Sequence, residues 1–146
     1  QFYENGQKMV HGTYAESNPD GPWFGWFRNG QKRFDGGYVE GKEDGRWVTY
    51  HSNGQRASGG TFSLSKRTGT WTWWDRAGKL KEKGLYQEGK KTGLWVRHYP
   101  SGKKRQSGQY LGDQRTGTWT WWRSDGTPWR TAKYVDGKEQ KSSNQN

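Results

Sequence analysis

The chain has 146 residues, enough for one domain or one repeat array, and a formal net charge of +11. It contains 11 Trp, 8 Tyr, 5 Phe and 23 Gly but no Cys, which excludes a disulfide framework, a thiolate metal site and a Cys nucleophile. Leu, Ile, Val and Phe together supply only 15 residues, too few for an ordinary aliphatic core, and no run approaches the ~18 apolar residues of a membrane span. Low aliphatic content with high charge would suggest disorder, but disordered chains are poor in aromatics and this one is saturated with them. The chain starts at Gln1 rather than Met, so upstream processing or truncation is expected. Export with signal removal and a cytoplasmic location both stay open.

Internal repetition dominates the pattern. Gly6, Gly30, Gly54, Gly78, Gly102 and Gly126 are each 24 residues apart, as are Gly21, Gly45, Gly69, Gly93 and Gly117. A third series runs Gly12, Gly36, Gly60, Gly84 and Gly108, with Ala132 in the sixth place. Aromatics keep the same beat: Trp23, Trp47, Trp71, Trp95 and Trp119, and Tyr14, Tyr38, Phe62, Tyr86, Tyr110 and Tyr134. In chain order the units fall near 1–14, 15–38, 39–62, 63–86, 87–110 and 111–134, forming an array over 1–138, followed by a polar tail over 139–146 expected to fray. Duplication of a two-unit block explains why Arg67–Trp74 and Arg115–Trp122 have the same sequence.

Each unit reads as a β-hairpin. Asn29-Gly30, Asn53-Gly54 and Asp125-Gly126 suit a two-residue type I′ turn, whereas Ala77-Gly78 and Ser101-Gly102 suit it less well and point to another turn. Flanking runs such as Trp47-Val48-Thr49-Tyr50 favour strands, and glycine at this density disfavours helix. A two-residue turn at Asn53-Gly54 places Trp47 opposite Gly60, Gly45 opposite Phe62 and Tyr50 opposite Ala57. A four-residue loop over Glu88–Lys91 places Trp95 opposite Gly84 and Tyr86 opposite Gly93. Nearly every phased Trp and Tyr then sits between glycines, with the ring row on one face as a core one ring thick. The expected fold is all-β: an antiparallel β-hairpin repeat array of about a dozen strands, forming an elongated twisted single-layer sheet or an open solenoid.

Gly89 and Gly93 at +3 and +7 from Tyr86, then Trp95 and the turn glycine Gly102, resemble the MORN-repeat family. The spacing Gly93-Leu94-Trp95 is closest to its bacterial MORN-variant type. The resemblance runs from about Phe2 to Gly137 and departs where Ser17, Ser65 and Asp113 replace the first glycine, so those loops are expected to differ. It implies a non-enzymatic scaffold for protein assembly. Some members are linked to acidic phospholipids, and many bacterial variants carry an antitoxin label. It implies no catalytic residue, and fold alone does not assign activity.

Nothing in the chain points to catalysis or to a cofactor. His11, His51 and His98 fall in different units and different phases, as surface or cross-strand histidines do. Glu40, Glu43, Asp44, Glu88 and Asp136 read as solvated loop charges, although the Glu43-Asp44 pair could in principle hold a cation. The face opposite the rings is more informative. Trp26, Tyr50, Trp74, His98 and Trp122 fall there, with Arg33, Ala57, Lys81, Arg105 and Trp129 as expected cross-strand partners. Rings interleaved with cations suit stacking on bases or sugars with charge neutralisation, and they equally suit plain coverage of a thin sheet. Trp73 and Trp121 share the ring face in the duplicated units only and read as an exposed anchor pair. The favoured reading is an interaction scaffold for a partner protein or a second copy, with unpaired sheet edges near Phe2 and Tyr134. An antitoxin or immunity role is a special case of it. The other reading is a polyanion-binding module for nucleic acid, anionic glycan or acidic lipid head groups, drawn by the +11 charge.

Overall fold

The computed structural model describes residues 1–141, so the part of the polar tail beyond Lys141 lies outside the described residues. It contains β1 (Val10–Ala15), β2 (Asn18–Trp26), β3 (Lys32–Val39), β4 (Lys42–Glu43), β5 (Gly45–Tyr50), β6 (Arg56–Ser63) and β7 (Lys66–Trp74). These are followed by β8 (Leu80–Gln87), β9 (Lys90–His98), β10 (Lys104–Leu111), β11 (Gln114–Trp122), β12 (Pro128–Val135) and β13 (Lys138–Glu139). All belong to one antiparallel sheet in chain order, with the short β4 pairing beside β3. The sheet is an open meander and does not close on itself. Glu139 extends this order: it pairs with Tyr134 in β13, so the array runs one residue into the segment expected to fray, and the sheet edge at Tyr134 is covered.

Both turns differ from the expected types. Around Gly30 the loop holds three residues, closed by Phe27 N–H to the Gln31 carbonyl (2.8 Å) and Gly30 N–H to the Phe27 carbonyl (2.9 Å). Gly30 has φ +86° and Asn29 does not enter positive φ, which rules out type I′ and matches a three-residue hairpin loop with a terminal left-handed residue. The same bonds recur at Gly54, Gly78, Gly102 and Gly126, so the poorer pairs at 77–78 and 101–102 use the same turn. Asn is placed here by its side chain. Asn53 Nδ2 donates to the Arg76 carbonyl of the next unit (2.7 Å), while its Oδ1 accepts from the Gln55 amide (3.0 Å). Asn29 repeats both contacts.

The type I′ turns lie at the other end of each hairpin. The loop at Glu88-Gly89 has two residues, not four, because Gln87 pairs with Lys90, and both loop residues have positive φ (50° and 81°). Ser17, Ser65 and Asp113 adopt φ of 71°, 70° and 69° in the equivalent loops, so those loops do not differ. Asp44 holds one such loop, accepting the Leu64 amide (3.1 Å), which makes it a turn anchor and not half of a cation pair with Glu43.

Each hairpin also contains bulges that restore register. One follows the three-residue loop: Trp74 pairs with Leu80 and Trp73 with Glu82, leaving Lys81 extra. The other lies on the strand after the type I′ turn: Leu85 pairs with Thr92 but Lys83 with Val96. Tyr86 therefore faces Lys91, not Gly93. Gly93, at φ +65°, has no ring above it and serves the bulge conformation, unlike the glycines of the Gly84 series. Without these compensating steps, a one-residue slip would turn the whole ring row to the other face.

The core is a column of rings. Tyr14, Trp23, Tyr38, Trp47, Phe62, Trp71, Tyr86, Trp95, Tyr110, Trp119 and Tyr134 contact in succession, edge to face, with centroids 5.0–6.4 Å apart. Each indole lies over a glycine of the preceding strand: Trp23 on Gly12, Trp47 on Gly36, Trp71 on Gly60, Trp95 on Gly84 and Trp119 on Gly108. A Cβ at any of these glycines would come closer than 3.0 Å to the ring. Each indole N–H also donates to the carbonyl just after its glycine, as Trp95 does to Leu85 (3.1 Å) and Trp119 to Gln109 (3.1 Å). An edge-to-face pair contributes about 0.5–1.5 kcal/mol beyond burial, comparable with the ~0.5–1 kcal/mol cost of a strand glycine. The seat therefore offsets the glycine it needs. In the sequence Ser143, not Trp, falls at the next phased place, so the chain supplies no sixth indole to require glycine at Ala132.

Gly84→Ala should destabilise the chain by about 1–3 kcal/mol by overpacking under Trp95. Ala132→Gly, where no ring must move, should stay within about 1 kcal/mol of the parent. Urea midpoints at constant m-value measure both.

Candidate functional site

The two faces of the sheet differ in how their charges are committed. On the ring face, Arg67, Lys91 and Arg115 follow the 24-residue beat and cap the column. Arg67 lies over Trp71 (4.8 Å), Lys91 over Trp95 (4.5 Å) and Arg115 over Trp119 (4.5 Å). Their strand partners are Phe62, Tyr86 and Tyr110, the rings opposite which the expected register places glycine. The signal that could have found them is the series 67, 91, 115 itself. Pro19 and Glu43 occupy the earlier places, and the rings are correspondingly more open there: Tyr14 is 62% exposed against 1% for Trp119.

Trp73 and Trp121 belong to this capped layer. Trp73 packs between Trp71 and Trp95 (6.1 and 5.9 Å), and Trp121 packs on Trp119 (6.3 Å) beneath Arg130 (4.6 Å). Both are half-buried against the core instead of standing free as anchors. Burial raises the Tyr86 hydroxyl above its ordinary value of 10.0, with Arg67 acting in the opposite sense. Tyr38 is raised by burial and then by Glu43. For Arg115, burial opposes the charge but is outweighed by hydrogen bonds with Tyr110 and Tyr134, so its pKa is raised.

The opposite face presents Trp26, Tyr50, Trp74, His98 and Trp122 on β2, β5, β7, β9 and β11, all half-buried. Their partners across the three-residue loops are Lys32, Arg56, Leu80, Lys104 and Pro128. Arg33, Ala57, Lys81, Arg105 and Trp129 are the extra residues of the bulges, so the expected pairings are displaced by one position. Arg33 and Arg105 reach the rings of Phe27 (5.8 Å) and Tyr99 (5.7 Å) instead, and Trp129 is 52% exposed. Alternation of ring and cation survives with other residues: Lys104 lies over Trp122 (5.7 Å), and Lys32 pairs with Asp35 (3.3 Å). A groove of about 250 Å³ opens beside Trp74 between Arg46 and Arg56.

The histidines are spread along the sheet: His11 is exposed, His51 Nε2 meets the Trp74 carbonyl (2.9 Å), and His98 Nδ1 meets the Gly102 carbonyl (3.1 Å). Tyr3 and Tyr99 hydroxyls donate to the Trp26 and Trp122 carbonyls at the places equivalent to His51, so that position links neighbouring units. Among the described residues, no group of three or more His, Asp or Glu could hold a metal, and no helix is long and apolar enough to cross a membrane.

Folded-state pKa values above 10.0 for Tyr38 and Tyr86 fix the sign of an alkaline dependence. The stability they contribute is fully present below the unfolded value and is lost as pH rises through the folded one. Thermal melts should therefore fall above about pH 10. Tyr86→Phe should flatten that fall.

Among known proteins, the family model described as the MORN repeat variant matches residues 67–88, which hold β7, its three-residue loop and β8. A comparison with curated proteins finds no match. The matched stretch contains the phased ring Trp71, the turn glycine Gly78 and the seat Gly84, and these features recur every 24 residues along the array. This match supports the resemblance of the array to the MORN-repeat family.

Proposed function

We propose that this protein is a non-enzymatic binding scaffold that engages a partner protein, or a second copy of itself, through the face opposite the ring column. MORN repeats are generally non-catalytic repeat modules. The observation that carries the reading is the row Trp26, Tyr50, Trp74, His98 and Trp122, which offers one half-buried ring or imidazole per unit. Two strands separate successive members, so the row repeats every ~10 Å across the sheet. Half-buried aromatics on a rigid frame make strong interface anchors, because little side-chain freedom is lost on binding. The other face is already covered by its own cations. An antitoxin-like or immunity role would be one instance of this activity, the partner then being a toxin.

A second reading, polyanion binding, is favoured by Arg56 and Lys104, which alternate with the rings and form no ion pair among the described residues. Affinity capture from the source lysate at low salt and at about 0.5 M salt separates the two readings. A scaffold should retain one defined protein in high salt, or sediment as a dimer. Trp74→Ala with Trp122→Ala should reduce that capture or association at least ~10-fold. Capture untouched by the double substitution, or consisting of nucleic acid or glycan released by salt with no protein retained, would contradict the scaffold reading.

A further inference from the structure

Gly59 breaks the repeat without a structural reason. The equivalent places hold His11, Asp35, Lys83, Ser107 and Thr131. Its φ is not positive, so no turn or bulge requires glycine there. It is not a ring seat either, that role belonging to Gly60 beneath Trp71. A Cβ on Gly59 would meet Trp74 Cζ3 at 3.7 Å, an ordinary contact, so a side chain would fit. A strand glycine costs about 0.5–1 kcal/mol of stability, and here no packing offsets it. What the missing side chain does create is the groove of about 250 Å³ on the opposite face, between Val48 and Thr72.

The chemistry of the groove is mixed in a particular way. Its lining includes Trp74, whose benzo ring faces Gly59, the hydroxyl-bearing Thr61, Thr70 and Thr72, and the two exposed arginines Arg46 and Arg56. Neither arginine has a carboxylate within 4.0 Å or lies over a ring among the described residues, whereas Arg67, Arg115 and Arg130 on the other face are taken up by aromatics. An uncommitted planar guanidinium matches a carboxylate bidentately. Hydroxyls that both donate and accept match the hydroxyls of a sugar, and an indole offers an apolar wall to the C–H face of a pyranose. The volume lies below the ~300–1,000 Å³ of drug-sized sites, which suits an occupant of about one ring. We propose that the Gly59 groove is a subsite for a single anionic pyranose, a hexuronate residue of an acidic glycan. It is distinct from the row of rings that would engage a protein, although Trp74 borders both.

The test is calorimetric titration of the full chain with tri-galacturonate, neutral galactotriose and a short oligothymidylate at low salt. Tri-galacturonate should bind with a Kd on the order of 0.1–1 mM, with galactotriose and oligothymidylate at least ~10-fold weaker. Gly59→Thr fills the groove with a better strand former, so it should keep or raise the melting temperature while weakening tri-galacturonate binding at least ~10-fold. Arg46→Ala and Arg56→Ala should each do the same to binding with unchanged melting, as expected for loss of a charge-assisted contact. Absence of tri-galacturonate binding, full binding by Gly59→Thr, or tighter binding of oligothymidylate would overturn the assignment. Because Gly59→Thr leaves Trp26, Tyr50, His98 and Trp122 untouched, protein capture by that variant reads the scaffold function separately.

Discussion

The interaction on which the rest of the molecule depends is the indole of each phased Trp lying flat on a glycine of the strand before it, with its N–H bonded to the adjacent carbonyl. A single-layer sheet has no second sheet to pack against, so it must bury apolar surface within its own thickness. Glycine removes the obstacle to that, and the ring covers the backbone so exposed. The Tyr and Phe rings then fill the spaces between indoles edge to face, and the column becomes continuous from Tyr14 to Tyr134. Arg67, Lys91 and Arg115 close the outer side of that column with guanidinium and ammonium groups. Part of the unusual basic charge is thus structural: it is a lid on an aromatic core.

That division of labour leaves the other face free to vary. Outside the row Trp26, Tyr50, Trp74, His98 and Trp122 it carries small, β-branched and charged residues without a strict beat, and Gly59 is the sharpest departure. In an array whose units are stabilised by neighbours, a change confined to one face of one unit is tolerated locally. Function can therefore be written on that face unit by unit while the ring column stays constant.

The period, the all-β class and the assignment of rings to one face were legible in the sequence because each rests on spacing, and the bulges preserve spacing at the phased Trp. The turns were not legible. Asn-Gly satisfies two different demands, positive φ in a type I′ turn and a side-chain bridge to the next unit, and Asn53 serves the second. Glu88-Gly89 and Leu64-Ser65 form the type I′ turns although neither is a strong match by composition. Bulges leave no compositional mark either, so Lys81 and Arg105 were read as partners when Leu80 and Lys104 hold those places. The capping cations were hidden for the same reason: only the true register brings Lys91 beside Tyr86.

Ring-current shifts of glycine Hα protons in a proton–carbon NMR spectrum test the central claim most directly. If indoles cover the seats, Hα signals of Gly36, Gly60, Gly84 and Gly108 should move far upfield of ordinary glycine values. Those of Gly69, Gly93 and Gly117, over which no ring lies, should not. Ordinary shifts at all seven glycines would contradict the account, because the sheet would then lack the covered seats from which its core is built.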